Sequence, residues 1–264
     1  MNVNNRYFLY IVIHFVAYGL YAQNAGTITY TEVTKLEIEG LEGLDLGDIL
    51  PSEMSSIKSL YFDKSKSVYR KTDDDVNDDI ELESDDGSFQ LVIGNDASEE
   101  ILYTDLKEKS CLEQKGFMGK DFLITSQLDR PQWRITNERI KYLGYVCQKA
   151  TLTEVVQPME GSNEPEQMVD VVAWFTSEIP VAVGPRKYNQ LPGAILMVSV
   201  NDGKTEIKAT EVTLVEPDAQ KLVKPSKGQK VNDQEYEVIM AKKMKEMQEM
   251  YGGREGSSSF IIRG

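Results

Sequence analysis

The sequence predicts a mainly β fold, an antiparallel curved sheet or half-barrel with one C-terminal amphipathic α-helix. Three observations predict it. Short runs rich in β-branched and aromatic residues recur from residue 27 to 215, broken by turn signals. Only one segment carries a helical period. With 264 residues, 41% of them hydrophobic and 27% charged, the chain has the apolar content of an ordinary globular protein and too much for wholesale disorder.

Residues 1–22 read as a secretory signal. Arg6 supplies the positive start, Tyr7 to Leu20 the apolar run, and Ala22-Gln23 a small residue at the cut. The run is shorter than the roughly 18 to 20 residues a spanning helix needs. No cysteine lies near residue 22, so an N-terminal lipid is not expected. The chain is therefore expected to be exported, periplasmic or secreted, and not a lipoprotein. Its 43 acidic residues against 29 basic ones give a formal charge of −14, which repels phosphate backbones and anionic lipid headgroups. Nucleic acid and anionic membrane surfaces are thus not expected partners.

A single β-rich domain is expected over 23–251. It opens with a strand, Thr27 to Glu39, in which Ile28 and Tyr30 alternate with polar residues before Val33, Leu36 and Ile38 take over. That change reads as one slip of phase, as at a bulge. Gly40 to Pro51 has no clear period and reads as a loop or short helix. Ser59–Phe62 and Ser67–Arg70, joined by D-K-S-K, predict a hairpin. The acidic residues 72–87 fail the spacing of a calcium loop: counting from Asp73, Asp78 stands where a glycine is needed and Ser84 where a bidentate Glu belongs. A solvated loop is the expectation there.

Further strands are expected at Phe89–Ile93, Ile101–Leu106, Ser110–Leu112, Phe122–Thr125, Arg134–Thr136, Tyr142–Thr151, Val169–Thr176, Ala194–Val200 and Thr205–Val215, with a polar loop over 157–168. The helix is expected over 232–251. Asn232 and Glu235 form a capping box, Tyr236, Met240, Met244, Met247 and Tyr251 recur at helical spacing, and Gly252-Gly253 stops it. The methionine stripe without cysteine or histidine beside it reads as core packing against the sheet, not as a soft-metal site. Residues 252–264 form a tail in which Phe260-Ile261-Ile262 could add a short edge strand.

The chemistry is constrained by one residue. His14 is the only histidine, and it lies in the expected signal, so the working chain is expected to contain none. Ser-His-Asp and Cys-His mechanisms then fall away, as do histidine-containing zinc sites. Ser55 and Lys58 match the S-x-x-K spacing in letters, but the companion K-T-G is absent and chance supplies such a match in a chain of this composition. No phosphate-binding glycine loop and no aspartic-protease turn occurs. No catalytic residue, cofactor or metal site is expected. Two cysteines, Cys111 and Cys147, in an exported chain read most simply as a disulfide, which would restrict the unfolded state by roughly 3 to 4 kcal/mol. The alternatives are two buried thiols or a redox pair, although no C-x-x-C spacing supports the latter.

The stretch Trp133 to Val200 is the most specific. It reads W-R-I-T-N-E-R-I-K-Y-L-G-Y-V-C-Q-K-A-T, then A-W-F-T-S-E-I-P-V-A-V-G-P-R-K-Y, then N-Q-L-P-G-A-I-L-M-V. It resembles the GLPGLI family of exported Bacteroidetes proteins, whose name motif is matched here by Gln190, Leu191, Pro192, Gly193, Ala194 and Ile195. I-T-Y at 28–30, L-Y-F-D-K-S-K-S-V-Y at 60–69 and K-G-Q-K-V-N-D-Q-E-Y at the helix entry extend the resemblance. The family has no established biochemical activity, so the resemblance implies an envelope or secreted location more than a function.

Gln190 stands where the family has Gly, which suggests a position that does not demand a positive φ. Ala194 stands where it has Leu and leaves a smaller space beneath the strand. Pro192-Gly193 suits the centre of a type II turn, after which Ala194 to Val198 reads as a strand buried on both faces. Pro180, Gly184 and Pro185 bend the chain after the Trp174 strand. Arg186, Lys187 and Tyr188 beside the motif leave a ligand-contacting loop as a second role for the segment.

The functional expectation is a non-enzymatic binding or assembly component of the cell envelope. Its partner would be an apolar or peptide ligand held in an apolar groove between sheet and helix, or another envelope protein. The alternatives are a carboxylate-dependent envelope hydrolase and a surface protein stabilised by calcium at 73–86.

Overall fold

In the computed structural model, the described residues are 24–36, 52–72, 80–83, 90–93, 99–128, 130–157 and 165–251. The expected signal, the 40–51 segment and the tail lie outside them. So does most of the acidic run, apart from the strand Ile80–Glu83.

The fold is a mainly β, open twelve-stranded sheet with one C-terminal helix. The strands are β1 (Gly26–Lys35), β2 (Glu53–Phe62), β3 (Lys66–Lys71), β4 (Ile80–Glu83), β5 (Gln90–Ile93), β6 (Ile101–Asp105), β7 (Ser110–Phe117), β8 (Lys120–Gln127), β9 (Arg134–Tyr142), β10 (Tyr145–Val156), β11 (Gln167–Thr176), β12 (Ala194–Val200), β13 (Thr205–Thr213) and β14 (Gln229–Asn232). The helix is α1 (Asp233–Tyr251). The order across the sheet is β14-β8-β7-β6-β3-β2-β1-β13-β12-β11-β10-β9, while β4 and β5 form a separate two-stranded sheet among the described residues. All neighbours are antiparallel except β14, which runs parallel to β8.

Turn chemistry sets the registers. Met118-Gly119 and Leu143-Gly144 both take positive φ at two successive positions, the two-residue turn whose twist suits a hairpin. Tyr142–Thr151, expected as one strand, is therefore broken at Leu143-Gly144 into the end of β9 and the start of β10. In the β2–β3 turn the Asp63 carboxylate accepts from the Ser65 and Lys66 amides at 2.6 and 3.0 Å, closing the predicted hairpin.

Residues directly opposite in antiparallel strands share a face, so the registers define an inner face that can be followed across the sheet. Ile28, Leu60, Tyr69 and Leu102 follow one another on β1, β2, β3 and β6, and Ile207 and Val198 continue the face on β13 and β12. Two things cover it. Residues 177–193 lie over the β1, β13, β12, β11 and β10 part, burying Ile179, Val181, Val183, Tyr188 and Leu191 in the main core. At the other end α1 seats Tyr236, Ile239 and Met240 on Phe122, Ile124 and Val231. The predicted capping box is formed: the Asn232 amide donates to Glu235 Oε2 and the Glu235 amide to Asn232 Oδ1, both at 2.9 Å.

The outer face of β2, β3, β6 and β7 is crossed by residues 214–228, which carry the chain from β13 to β14. A short 3-10 turn, Ala219–Leu222, drops Leu222 onto Val68, Ile101 and Tyr103. Lys221 and Lys224 sit over the Tyr61 and Tyr103 rings at 5.6 and 5.0 Å from their centroids. The buried Gln114 amide spans this crossing, accepting from the Lys227 amide at 3.1 Å and donating to the Glu99 carbonyl at 3.3 Å. The strand β14 lay hidden in the sequence, because Gln229–Asn232 reads as a helix entry.

The expected disulfide is not formed: Cys111 and Cys147 remain thiols. Cys111 lies on β7 and Cys147 on β10, with β6, β3, β2, β1, β13, β12 and β11 between them in the sheet order. At about 4.8 Å per strand that separation is far beyond the roughly 7 Å a disulfide tolerates between Cα atoms.

Candidate functional site

The inner face under residues 177–193 holds the motif positions and the main buried charge. The first strand explains how. Gly26, Ile28, Tyr30 and Glu32 all point inward in an unbroken alternation, with Tyr30 fully buried and Glu32 only 3% exposed. The slip of phase read from Val33 is therefore not a change of side. A bulge does exist, between Thr29 and Tyr30 on the β13 side, but the alternation of burial continues through it and places the Glu32 carboxylate inside.

That carboxylate is bound on every side. Arg186 grips it through two parallel bonds, Nε to Oε1 at 3.0 Å and Nη2 to Oε2 at 2.8 Å. The Tyr69 hydroxyl donates to Oε1, and Lys58 Nζ stands 3.6 Å from Oε2 while also reaching Glu100 at 3.3 Å. Burial alone would push the Glu32 carboxyl up, but the Arg186 bond and charge, with Lys58 and Tyr69, outweigh it and hold it below its ordinary value. Burial opposes the charge on Arg186 too, and the Glu32 partner more than compensates, raising the guanidinium further. Burial and the neighbouring Glu32 push the Tyr69 hydroxyl well above its usual range. All three groups are locked in one protonation state near neutrality. Such a cluster ties the covering segment to the sheet.

Arg186 reaches Glu32 from a left-handed backbone position, φ 51°, in the covering segment. Around it the segment makes its own ladder. Ala194 N bonds to Ile179 O at 3.0 Å, Ile195 N to Val183 O at 2.9 Å and Gln190 N to Ala182 O at 3.3 Å. From the sheet, the buried Tyr30 hydroxyl donates to the Ile195 carbonyl at 2.6 Å, and the Trp133 indole N–H to the Asn189 carbonyl at 2.9 Å. Asn189 Oδ1 is the buried side-chain polar atom left without a hydrogen bond among the described residues.

Each motif residue has a place in this plug. Leu191, Ala194 and Ile195 are buried, Pro180 and Pro192 exposed, Pro185 buried and Trp174 half-buried on β11. Gly193 takes φ 152°, and a Cβ there would stand 2.0 Å from the Thr176 carbonyl oxygen; a Cβ on Gly184 would stand 2.2 Å from that of Tyr188. Two expectations are corrected. Gln190 does adopt a positive φ, 65°, so the position makes the demand that glycine meets without strain. The type II turn is replaced by a tighter one centred on Pro192, in which Gly193 N bonds to Leu191 O at 2.7 Å. The reason is that the Ala194 amide, which would close a type II turn on Leu191, is engaged by Ile179.

The polar trio beside the motif is internally committed. Arg186 holds Glu32, Lys187 pairs with Glu154 at 2.9 Å, and burial pushes the Tyr188 hydroxyl up to about 12. Burial, aided by Glu178, pushes the Cys147 thiol up to about 11, which leaves it inert as a nucleophile. The apolar groove expected between sheet and helix is replaced, over the plugged half, by the chain's own side chains. Glu32, Lys58 and Tyr69 were missed because two of them are charged and all lie far from the motif in sequence. The signal available was the strict alternation Gly26, Ile28, Tyr30, which continued by two lands on Glu32.

A family model described as "Protein of unknown function (Porph_ging)" matches residues 133–197, the stretch from just before β9 through the plug into β12. No curated protein matches the chain. Among solved structures, PNGF-II in a C2 crystal form is similar at 15% identity and a TM-score of 0.50, over 82% of this chain and 32% of that one. This chain thus spans about a third of the PNGF-II chain, and the likeness concerns the fold. LprF from Mycobacterium bovis aligns over 78% of this chain and 91% of its own at 9% identity, with a TM-score of 0.30.

Proposed function

We propose that the chain is an exported, non-enzymatic binding or assembly module of the GLPGLI type, and that its partner is a polypeptide. The observation that carries this reading is the plug. Over half of the inner face, the place where a small apolar ligand would be held is filled by Ile179, Val181, Val183 and Leu191 of the same chain. Against hydrolysis stands the state of Glu32, the one buried carboxylate among the described residues, held ionised by Arg186, while the acid nearest to it through Lys58, Glu100, is exposed. With that half of the inner face filled, recognition falls to the surface and edges of the sheet. Export rests on the N-terminal signal pattern.

Native mass spectrometry of the protein purified after mild crosslinking in its own cells tests the reading. The expected result is a polypeptide adduct and no lipid. A stoichiometric lipid adduct would overturn the choice of partner, and hydrolysis of an envelope substrate that Glu32→Gln abolishes would overturn the non-enzymatic reading.

A further inference from the structure

The strand β9 is unlike every other strand whose side chains are described: it buries nothing. Seven of its nine residues are exposed, the others half-buried. Among the described residues it is one edge of the sheet, paired only with β10. Ile140 stands opposite Cys147 and Ile135 opposite Ala150, on the two sides of a register shift between Gln148 and Ala150 that brings both isoleucines to the side of two core residues, and they remain 36% and 47% exposed at the edge. Arg134, Arg139 and Lys141 stand opposite Thr151, Gln148 and Val146. Neighbours along a strand alternate sides, so these cations face away from the isoleucines beside them. None of the three has an anionic partner among the described residues, whereas Glu138, the strand's only acid, is neutralised by Lys149 at 3.0 Å. The result is a basic edge on a protein of net charge −14.

The backbone is equally open. The two-residue turn makes Tyr142 and Tyr145 a hydrogen-bonded pair, so by the alternation of an antiparallel ladder the N–H and C=O groups of Arg139 and Lys141 point outward. We propose that the outer edge of β9 is a strand-addition site for an extended acidic polypeptide segment in which apolar and acidic residues alternate. This inference rests on the polypeptide reading above and gives it a site and a chemistry. The incoming strand would continue the inner face over Ile140, and its acids would meet Arg139 and Lys141 on the outer side, while Arg134 and Ile135 lie beyond the register shift and would be met only by a strand that follows that irregularity. Opposite charges across a strand pair attract and like charges repel. A second copy of this chain paired edge to edge would set these cations against one another, so the charge pattern selects an acidic partner over self-association.

The test is fluorescence anisotropy of labelled peptides of about eight residues, a usual strand length, titrated with the full exported chain. The probes alternate valine with glutamate, alternate valine with lysine, or repeat the glutamate peptide with a central proline. The glutamate peptide should bind, salt should weaken it, and proline, which removes a ladder donor, should cost about tenfold or more. The variant Arg139→Glu/Lys141→Glu, checked for an unchanged Tm, should reverse the preference to the lysine peptide. Equal binding of the proline peptide, indifference to the charge swap, or a concentration-dependent dimer through β9 would each overturn the proposal. Binding that protects β14 amides in place of β9 would overturn the site while leaving the polypeptide reading standing. Binding by none of the peptides overturns this inference alone, because the adduct experiment judges the other.

Discussion

The plugged centre of the inner face and the β9 edge, next to each other in the sheet, treat charge in opposite ways. In the centre, Glu32 is 3% exposed and every polar atom it carries is engaged by Arg186, Tyr69 or Lys58. At the edge, Arg134, Arg139 and Lys141 are exposed and have no anionic partner among the described residues. A charge removed from water must be paired to be tolerated, so paired buried charges report the chain's internal fastening. Unpaired exposed cations lined up on an unfilled strand edge cost the fold little and are available to a partner.

The contrast predicts a graded series of stability effects. Gly193→Val should be the most damaging, because both the φ of 152° and the 2.0 Å approach to Thr176 O exclude a side chain. A loss of about 4 kcal/mol or failure to fold is expected, read from the urea midpoint. Arg186→Met strands the Glu32 carboxylate; because the Arg186 side chain is 43% exposed and Lys58 and Tyr69 stay, about 2 to 3 kcal/mol is expected. Tyr30→Phe leaves the buried Ile195 carbonyl without its 2.6 Å donor and should cost about 1 to 2 kcal/mol. Arg139→Ala should lie within about 0.5 kcal/mol of wild type. A large loss there, or none at Arg186, would erase the distinction between the two regions.

Acid titration sharpens the same comparison. Glu32 is held below its ordinary value of 4.5 in the folded state, so its contribution is fully present above that pH and is lost as pH falls through the lower folded value. In the wild type the urea midpoint should drop on the acid side, and Glu32→Gln should flatten the part of that drop that Glu32 supplies. An unchanged acid limb in the variant would mean that Arg186 does not hold the carboxylate ionised.

Much of the fold was legible because it rests on local pattern. The hairpin of β2 and β3, the run Ala194–Val200 and the capping box of α1 follow from turn residues, apolar runs and spacing. What escaped depends on distant partners. The strand β14 forms because it finds β8, more than a hundred residues earlier, and its own four residues carry no strand signal. The thiols Cys111 and Cys147 invited a bond that the sheet order forbids. The inward place of Glu32 follows from simple alternation, but its partner Arg186, 154 residues away, cannot be read from the strand. The positive φ at Gln190 arises from the ladder around it, which the letter Gln conceals.

Amide hydrogen exchange, followed residue by residue with and without the alternating valine–glutamate peptide, tests most directly the claim that the interior is closed and the β9 edge open. The amides of Ala194 and Ile195, bonded within the plug, should exchange slowly in both states, while those of Arg139 and Lys141 should exchange rapidly in the free protein and slow when the peptide is present. Rapid exchange in the plug that the peptide suppresses, with β9 unaffected, would contradict the account.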